Sequence, residues 1–105
     1  MTQFDDRERA EELKFAMDSE LLFKINARRD KYIGIWAADL MGLTGQEKDL
    51  YASSIIVADL EEAGDEDVIR KLTKDFAAKN VEVSDHAIRS ELEKQFEIAR
   101  EELMK

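Results

Sequence analysis

Residues 20–41 read ELLFKINARRDKYIGIWAADLM. Wound at 3.6 residues per turn, Leu21, Leu22, Ile25, Tyr32, Ile33, Trp36 and Leu40 fall on one broad apolar face, so this stretch is a helix that needs partners to cover it. Gly34, two residues before Trp36 in the middle of that face, marks a place where a neighbouring helix comes close, and Trp36 reads as a core anchor. No residue forbids helix anywhere from Gln3 to Met41, which would make a rod of roughly 58 Å. A compact domain of this chain's 105 residues has a radius of gyration of about 13 Å and holds helices of roughly 20–35 Å. The long segment must therefore break. Residues 1–19 place only Phe4, Leu13, Phe15 and Met17 among nine charges, and the break is expected near Asp18-Ser19.

Downstream, punctuation divides the rest. Gly42-Leu43-Thr44-Gly45, Ala63-Gly64-Asp65 and Asn80 to Ser84 are the turn-like stretches. Thr44-Gly45-Gln46-Glu47 has the spacing of a capping box and opens a helix through Leu50, Tyr51, Ile55, Ala58 and Leu60, with Gly64 as its expected C-terminal cap. Asp65-Glu66-Asp67 suits the positive end of a helix dipole and precedes the stripe Val68, Ile69, Leu72, Phe76 and Ala77. Ser84 is an expected N-cap before Ile88, Leu92, Phe96, Ala99 and Leu103. The expectation is an all-α, antiparallel four-helix bundle over about 20–41, 45–62, 66–79 and 84–103. It carries a helix-prone, mobile N-terminal arm at residues 1–19, with the bundle domain at 20–105.

Composition agrees with one helical domain. The chain has no proline and four glycines, with 39% charged and 44% apolar residues, enough for one core and too few breakers for a loop-rich fold. No cysteine is present, so neither a disulfide framework nor thiolate chemistry is available, and the chain is at home in a reducing cytoplasm. A net charge of −9 without a strong basic face argues against nucleic acid or an anionic membrane as partner. Acids stand at the N-terminus where a targeting peptide would carry cations, and the longest apolar run, Ile33 to Ala38, is far shorter than the roughly 20 residues that span a bilayer. A cytoplasmic, soluble protein without membrane insertion is expected.

Enzyme signatures are weak throughout, and the expectation is a non-enzyme with no catalytic residue, resident metal or obligatory cofactor. His86, the single histidine, has no thiol partner, and no serine sits in a nucleophile elbow. Gly42 to Lys48 lacks the spacing of a phosphate loop. The acidic run Asp59 to Asp67 lacks calcium-loop alternation and reads as a solvated turn with a capped helix after it. Lys24, Arg28 and Lys31 share one helical face, with Arg29 adjacent, and form the only basic concentration. Pairing with Glu20, Asp30 and the acidic turn is the ordinary reading of them; binding of an adenine nucleotide, as in a small-ligand sensor, is the alternative. The arm carries a net charge of −3 and gains little by folding on its own domain. It is either a frayed terminus or a segment that orders on a partner.

Several motifs are similar to one family. Phe4-Asp5-Asp6-Arg7-Glu8, Lys14-Phe15-Ala16-x-Asp18, Phe23-Lys24, Ala27-Arg28-Arg29-x-Lys31, Gly34-x-Trp36-Ala37-Ala38 and Gly42-Leu43 resemble the zeta inhibitor subunit of the alphaproteobacterial F-type ATP synthase. So do Ala58-Asp59-x-Glu61-Glu62-x-Gly64-Asp65-Glu66-Asp67-Val68-x-Arg70-Lys71 and Val83-Ser84-x-x-x-Ile88-Arg89, and the likeness covers nearly the whole chain. Leu60 and Ala63 stand where many members have phenylalanine and proline, a mild departure for a turn. The resemblance implies a four-helix inhibitor of ATP hydrolysis, peripheral to the membrane-bound enzyme. Its N-terminal segment would enter a catalytic interface between the alpha and beta subunits beside the gamma rotor, while the bundle docks outside. The arm residues it implies as contacts are Phe4, Asp5, Asp6, Arg7, Glu8, Lys14 and Phe15.

Overall fold

The computed structural model describes residues 19–61 and 64–104. It contains four helices, α1 (Ser19–Leu40), α2 (Gly45–Asp59), α3 (Glu66–Ala78) and α4 (Asp85–Leu103), and no strand among the described residues. They form the expected all-α antiparallel bundle. Helix α1 is the spine, packed along α2 on one side and α4 on the other, while the shorter α3 closes the far end against both. The core joins Ile33 and Ala37 of α1, Ile55 of α2, Val68, Ile69, Leu72 and Phe76 of α3, and Ile88 and Leu92 of α4. Trp36 is a half-buried anchor, its ring edge-on to Phe76 at 5.7 Å between centroids. Gly34 is what lets α1 and α2 approach: a Cβ there would stand 2.4 Å from the Ala52 Cα. A seam of small buried residues, Gly34, Ala37, Ala38 and Ala52, follows from that approach.

Helix ends show how local chemistry sets the boundaries. Gly42, at φ +78°, ends α1 in a Schellman turn, with Leu43 N–H donating to the Ala38 carbonyl at 2.9 Å and Gly42 N–H to that of Asp39 at 3.2 Å. Asn80, at φ +58°, does the same for α3, with Val81 N–H on the Phe76 carbonyl and Asn80 N–H on that of Ala77. The Ser84 hydroxyl oxygen accepts from Ala87 N–H at 3.0 Å, the expected N-cap of α4.

Other expectations need correction. Thr44 occupies the cap position of α2 but makes no side-chain cap bond; Gly45 behind it is at φ +57°, so the first free N–H groups are not aligned with its hydroxyl. Helix α2 stops at Asp59 rather than near residue 62, with tight i to i+3 bonds from Leu60 N–H to the Val57 carbonyl and Glu61 N–H to that of Ala58. Gly64, at φ +88°, therefore lies on the far side of the corner beside Asp65 and does not cap α2. Ala77 is exposed, because Val68, Leu72 and Phe76 already take the buried face of α3 at steps of four. Leu40, Leu50 and Leu60 are also exposed. The described part of helix α1 runs from Ser19, and residues 1–18 lie outside the described residues.

Candidate functional site

The most heavily charged place in the interior lies at the corner between α2 and α3, where it rests on α1. Arg29 and Asp30 are the two buried charged residues among those described, at 5% and 1% exposure. Arg29 donates from Nε and Nη2 to Asp30 Oδ1 at 3.1 and 2.9 Å, from Nη1 to Asp65 Oδ1 at 2.8 Å, and from Nη2 to Asp59 Oδ2 at 3.4 Å. One guanidinium thus ties α1 to the last residue of α2 and to the residue before α3. Asp65 sits at the N-cap of α3 without capping it, because its carboxylate is turned to Arg29. Burial works against the Arg29 charge, yet Asp30 and Asp65 outweigh it and hold the guanidinium above its ordinary range. Burial pushes the Asp30 carboxyl up to about 8, helped by a hydrogen bond with Asp59 and opposed by Arg29.

The other three cations of the basic run face elsewhere. Lys24, Arg28 and Lys31 line a groove of about 520 Å³ together with Phe23, Tyr32 and Leu103. Lys24 pairs with Glu20 one turn earlier. Arg28 Nη1 and the Tyr32 hydroxyl both donate to Glu102 on α4, at 3.4 and 2.6 Å. The bond to Glu102 raises the Tyr32 phenol above its usual range. The run therefore divides between two faces of α1, and the expected pairings with Glu20, Asp30 and the acidic turn are all present. Sequence spacing gave no sign that Arg29 would turn inward, since its partners Asp59 and Asp65 are 30 and 36 residues away. The one available signal was the adjacent, oppositely charged Arg29-Asp30 pair at the edge of an apolar stripe.

A second polar knot joins α2 to α3. The Tyr51 hydroxyl donates to Asp75 Oδ2 at 2.8 Å, Lys71 Nζ donates to the same oxygen at 2.9 Å, and the Lys71 ammonium lies 5.1 Å from the centre of the Tyr51 ring. Burial, with the Asp75 hydrogen bond behind it, raises the Tyr51 phenol well above its ordinary value. His86 is exposed on the first turn of α4. Among the described residues no group of three or more His, Cys, Asp or Glu side chains could hold a metal ion, and no helix is long and apolar enough to cross a membrane. The arm residues Phe4, Asp5, Asp6, Arg7, Glu8, Lys14 and Phe15 lie outside the described residues.

Fold and charge layout define a small acidic helical module whose interior ions hold its own helices in register. The family model for ATPase inhibitor subunit zeta matches residues 1–102, and the chain belongs to that family. A solved chain described as a solution NMR structure is similar, at 39% identity over 78% of this chain and 93% of its own, with a TM-score of 0.70. No curated protein matches. Membership makes the chain an inhibitor subunit whose partner is an ATP synthase.

Proposed function

We propose that the chain blocks ATP hydrolysis with its N-terminal segment, Phe4 to Met17, entering a catalytic interface between the alpha and beta subunits beside the gamma rotor. The bundle docks outside that interface and raises the local concentration of the segment. The observation that carries this reading is that the family match runs through the first residues as well as the bundle. Both parts of the chain therefore belong to the inhibitor. Ordering some 14 residues costs on the order of 1 kcal/mol or more each in backbone entropy. The apolar side chains of Phe4, Leu13, Phe15 and Met17 are the groups able to offset it, with Asp5, Asp6, Arg7, Glu8 and Lys14 setting register. On this reading the protein has no catalytic role and works at the cytoplasmic face of the enzyme. The test is ATP hydrolysis by the isolated catalytic sector, titrated with the wild-type chain and with Phe4→Ala, Arg7→Ala and Phe15→Ala. Each substitution should raise the half-inhibitory concentration by tenfold or more, on the order of 1.4 kcal/mol. Unchanged inhibition by all three would place the contact elsewhere.

A second reading rests on the groove of Lys24, Arg28, Lys31 and Tyr32, where three cations rim an apolar floor of Phe23, Ile56 and Leu103. Such a lining suits an adenine nucleotide, phosphates on the cations and base on the floor, as a regulatory ligand and not a cofactor. Trp36 fluorescence and backbone chemical shifts, followed during ATP and ADP titration, would reveal it. Saturation lost in Arg28→Ala supports this reading, and no response at millimolar nucleotide removes it.

A further inference from the structure

Leu50 to Ala58 is the longest uncharged run in the chain, in a sequence that is 39% charged. All of it lies on α2, and that helix buries only Ala52 and Ile55. Its outward side is uncharged as well. Leu50, Ser53, Val57 and, just past the end of the helix, Leu60 follow one another at steps of three, four and three and form a stripe that faces solvent. Leu50 is 62% exposed, Val57 59% and Leu60 65%. A helix that is apolar all round is ordinarily covered all round, and an exposed apolar patch marks a surface that another molecule covers. Among the described residues, the large apolar side chains exposed elsewhere on the bundle, Leu40, Ile98 and Met104, stand singly.

The stripe also ends where the N-terminal segment joins the bundle. Ile56 and Leu60 share the lining of a cavity of about 280 Å³ with Phe23 of α1, itself 55% exposed. Phe23 follows Ser19 by one helical turn, about 6 Å, and residues 1–18 lead into Ser19. One apolar surface thus runs along α2 and reaches the end of the bundle from which the segment leaves. On its α1 flank, the groove that contains Ile56 carries Lys24, Arg28 and Lys31 and no carboxylate in its lining. Lys24 and Arg28 hold Glu20 and Glu102 through exposed pairs, which exchange partners at little cost.

We propose that the stripe of Leu50, Ser53, Val57 and Leu60, continued by Phe23, is the face by which the bundle docks on the catalytic sector of the ATP synthase, against an apolar strip bordered by carboxylates. This face rests on the inhibitory role proposed above. A second copy of the chain is the poorer occupant. Each copy carries a net charge of −9, and so narrow a stripe falls far short of the roughly 20–30 residues a side that a stable dimer buries. The enzyme asks less of the stripe, because the N-terminal segment supplies a second contact and the two act as one bivalent ligand.

The full chain has no cysteine of its own, so a single introduced thiol reports which face the enzyme covers. In Ser53→Cys, saturating catalytic sector should slow modification by N-ethylmaleimide, read from the mass of the chain, by roughly tenfold or more, as expected in the dry centre of an interface. In Ala77→Cys, on an exposed position of α3, the rate should not change. Leu50→Glu and Val57→Glu alter exposed side chains, and circular dichroism should find both folded. Each should raise the half-saturating concentration of the full chain by about tenfold or more, since a carboxylate then loses water without gaining a partner. Lys31→Glu, on the flank, should raise it by roughly threefold. Ala77→Glu should leave it where it is. Binding that leaves the Ser53→Cys thiol as reactive as before, or Leu50→Glu and Val57→Glu chains that bind like the wild type, would overturn the docking face. So would a wild-type dimer in sedimentation that Val57→Glu dissolves, because the stripe would then serve self-association. A chain that protects the thiol yet leaves hydrolysis running would keep the docking face and refute the inhibitory reading instead.

Discussion

Gly34→Ala is the substitution that the packing of the bundle constrains most tightly. In an isolated helix the change would be favourable by about 1 kcal/mol. Here the new methyl carbon would meet the Ala52 Cα at 2.4 Å, the Ala52 Cβ at 3.0 Å and the Ala52 carbonyl carbon at 3.3 Å. The obstacle is mainly backbone, and no rotamer change removes it. Helices α1 and α2 would have to part by about 1 Å to restore ordinary contact, loosening the seam of Ala37, Ala38 and Ala52. Overpacking of this kind costs about 1–3 kcal/mol, and an immovable neighbour puts it at the upper end. With the helix-propensity gain subtracted, a net loss of about 2 kcal/mol is expected, which for a chain of this size lowers Tm by about 8–16 °C. Thermal unfolding followed by circular dichroism, with Trp36 fluorescence as a second probe, measures it. A variant as stable as the wild type or more so would refute the close crossing.

The two candidate caps should separate cleanly in urea unfolding. Ser84→Ala loses a made cap bond and about 1 kcal/mol, whereas Thr44→Ala loses none and should fall within about 0.5 kcal/mol of wild type. Tyrosine titration by ultraviolet absorbance should show little ionisation at pH 10 in the folded chain, because both Tyr32 and Tyr51 are held above the ordinary phenol value. The folded state keeps those protons while the unfolded chain gives them up, so stability falls as pH rises past about 10; normal titration of both phenols with the fold intact would contradict this. Arg29→Ala leaves Asp30 and Asp59 facing each other without their cation. Breaking a buried ion group in this way costs about 3–5 kcal/mol, and chemical denaturation should show the largest loss among the polar substitutions named here.

Much of the fold was legible because it is written in short-range patterns. The stripe of Ile88, Leu92 and Ala99 behind Ser84 gave α4, and Gly34, two residues before Trp36, announced a close helix crossing, which the structure makes with α2 at Ala52. Boundaries failed where a cap-like sequence met an unexpected backbone. Thr44 to Glu47 has the letters of a capping box, yet Gly45 takes a left-handed conformation that breaks the box. Gly64 looked like the end of α2, although the helix had already stopped at Asp59, whose side chain lies in the Arg29 node. The pairing of the basic run with Asp30 and the acidic turn was legible, but the burial of Arg29 was hidden because adjacent residues do not share a helical face. Lys24, Arg28 and Lys31 fall together by periodicity, but whether Arg29 points to solvent or inward depends on α2 and α3 arriving with acids. That is a tertiary fact which no window along α1 contains.

In the proposed function the N-terminal segment blocks hydrolysis and the bundle docks. This division is tested most directly by ATP hydrolysis of the isolated catalytic sector of an F-type ATP synthase, titrated with the full chain and with a chain lacking residues 2–19. Inhibition by the full chain alone, relieved when the shortened chain is added in excess as a competitor for the docking surface, is the predicted result. Equal inhibition by the shortened chain would contradict the account and move the inhibitory contact onto the bundle.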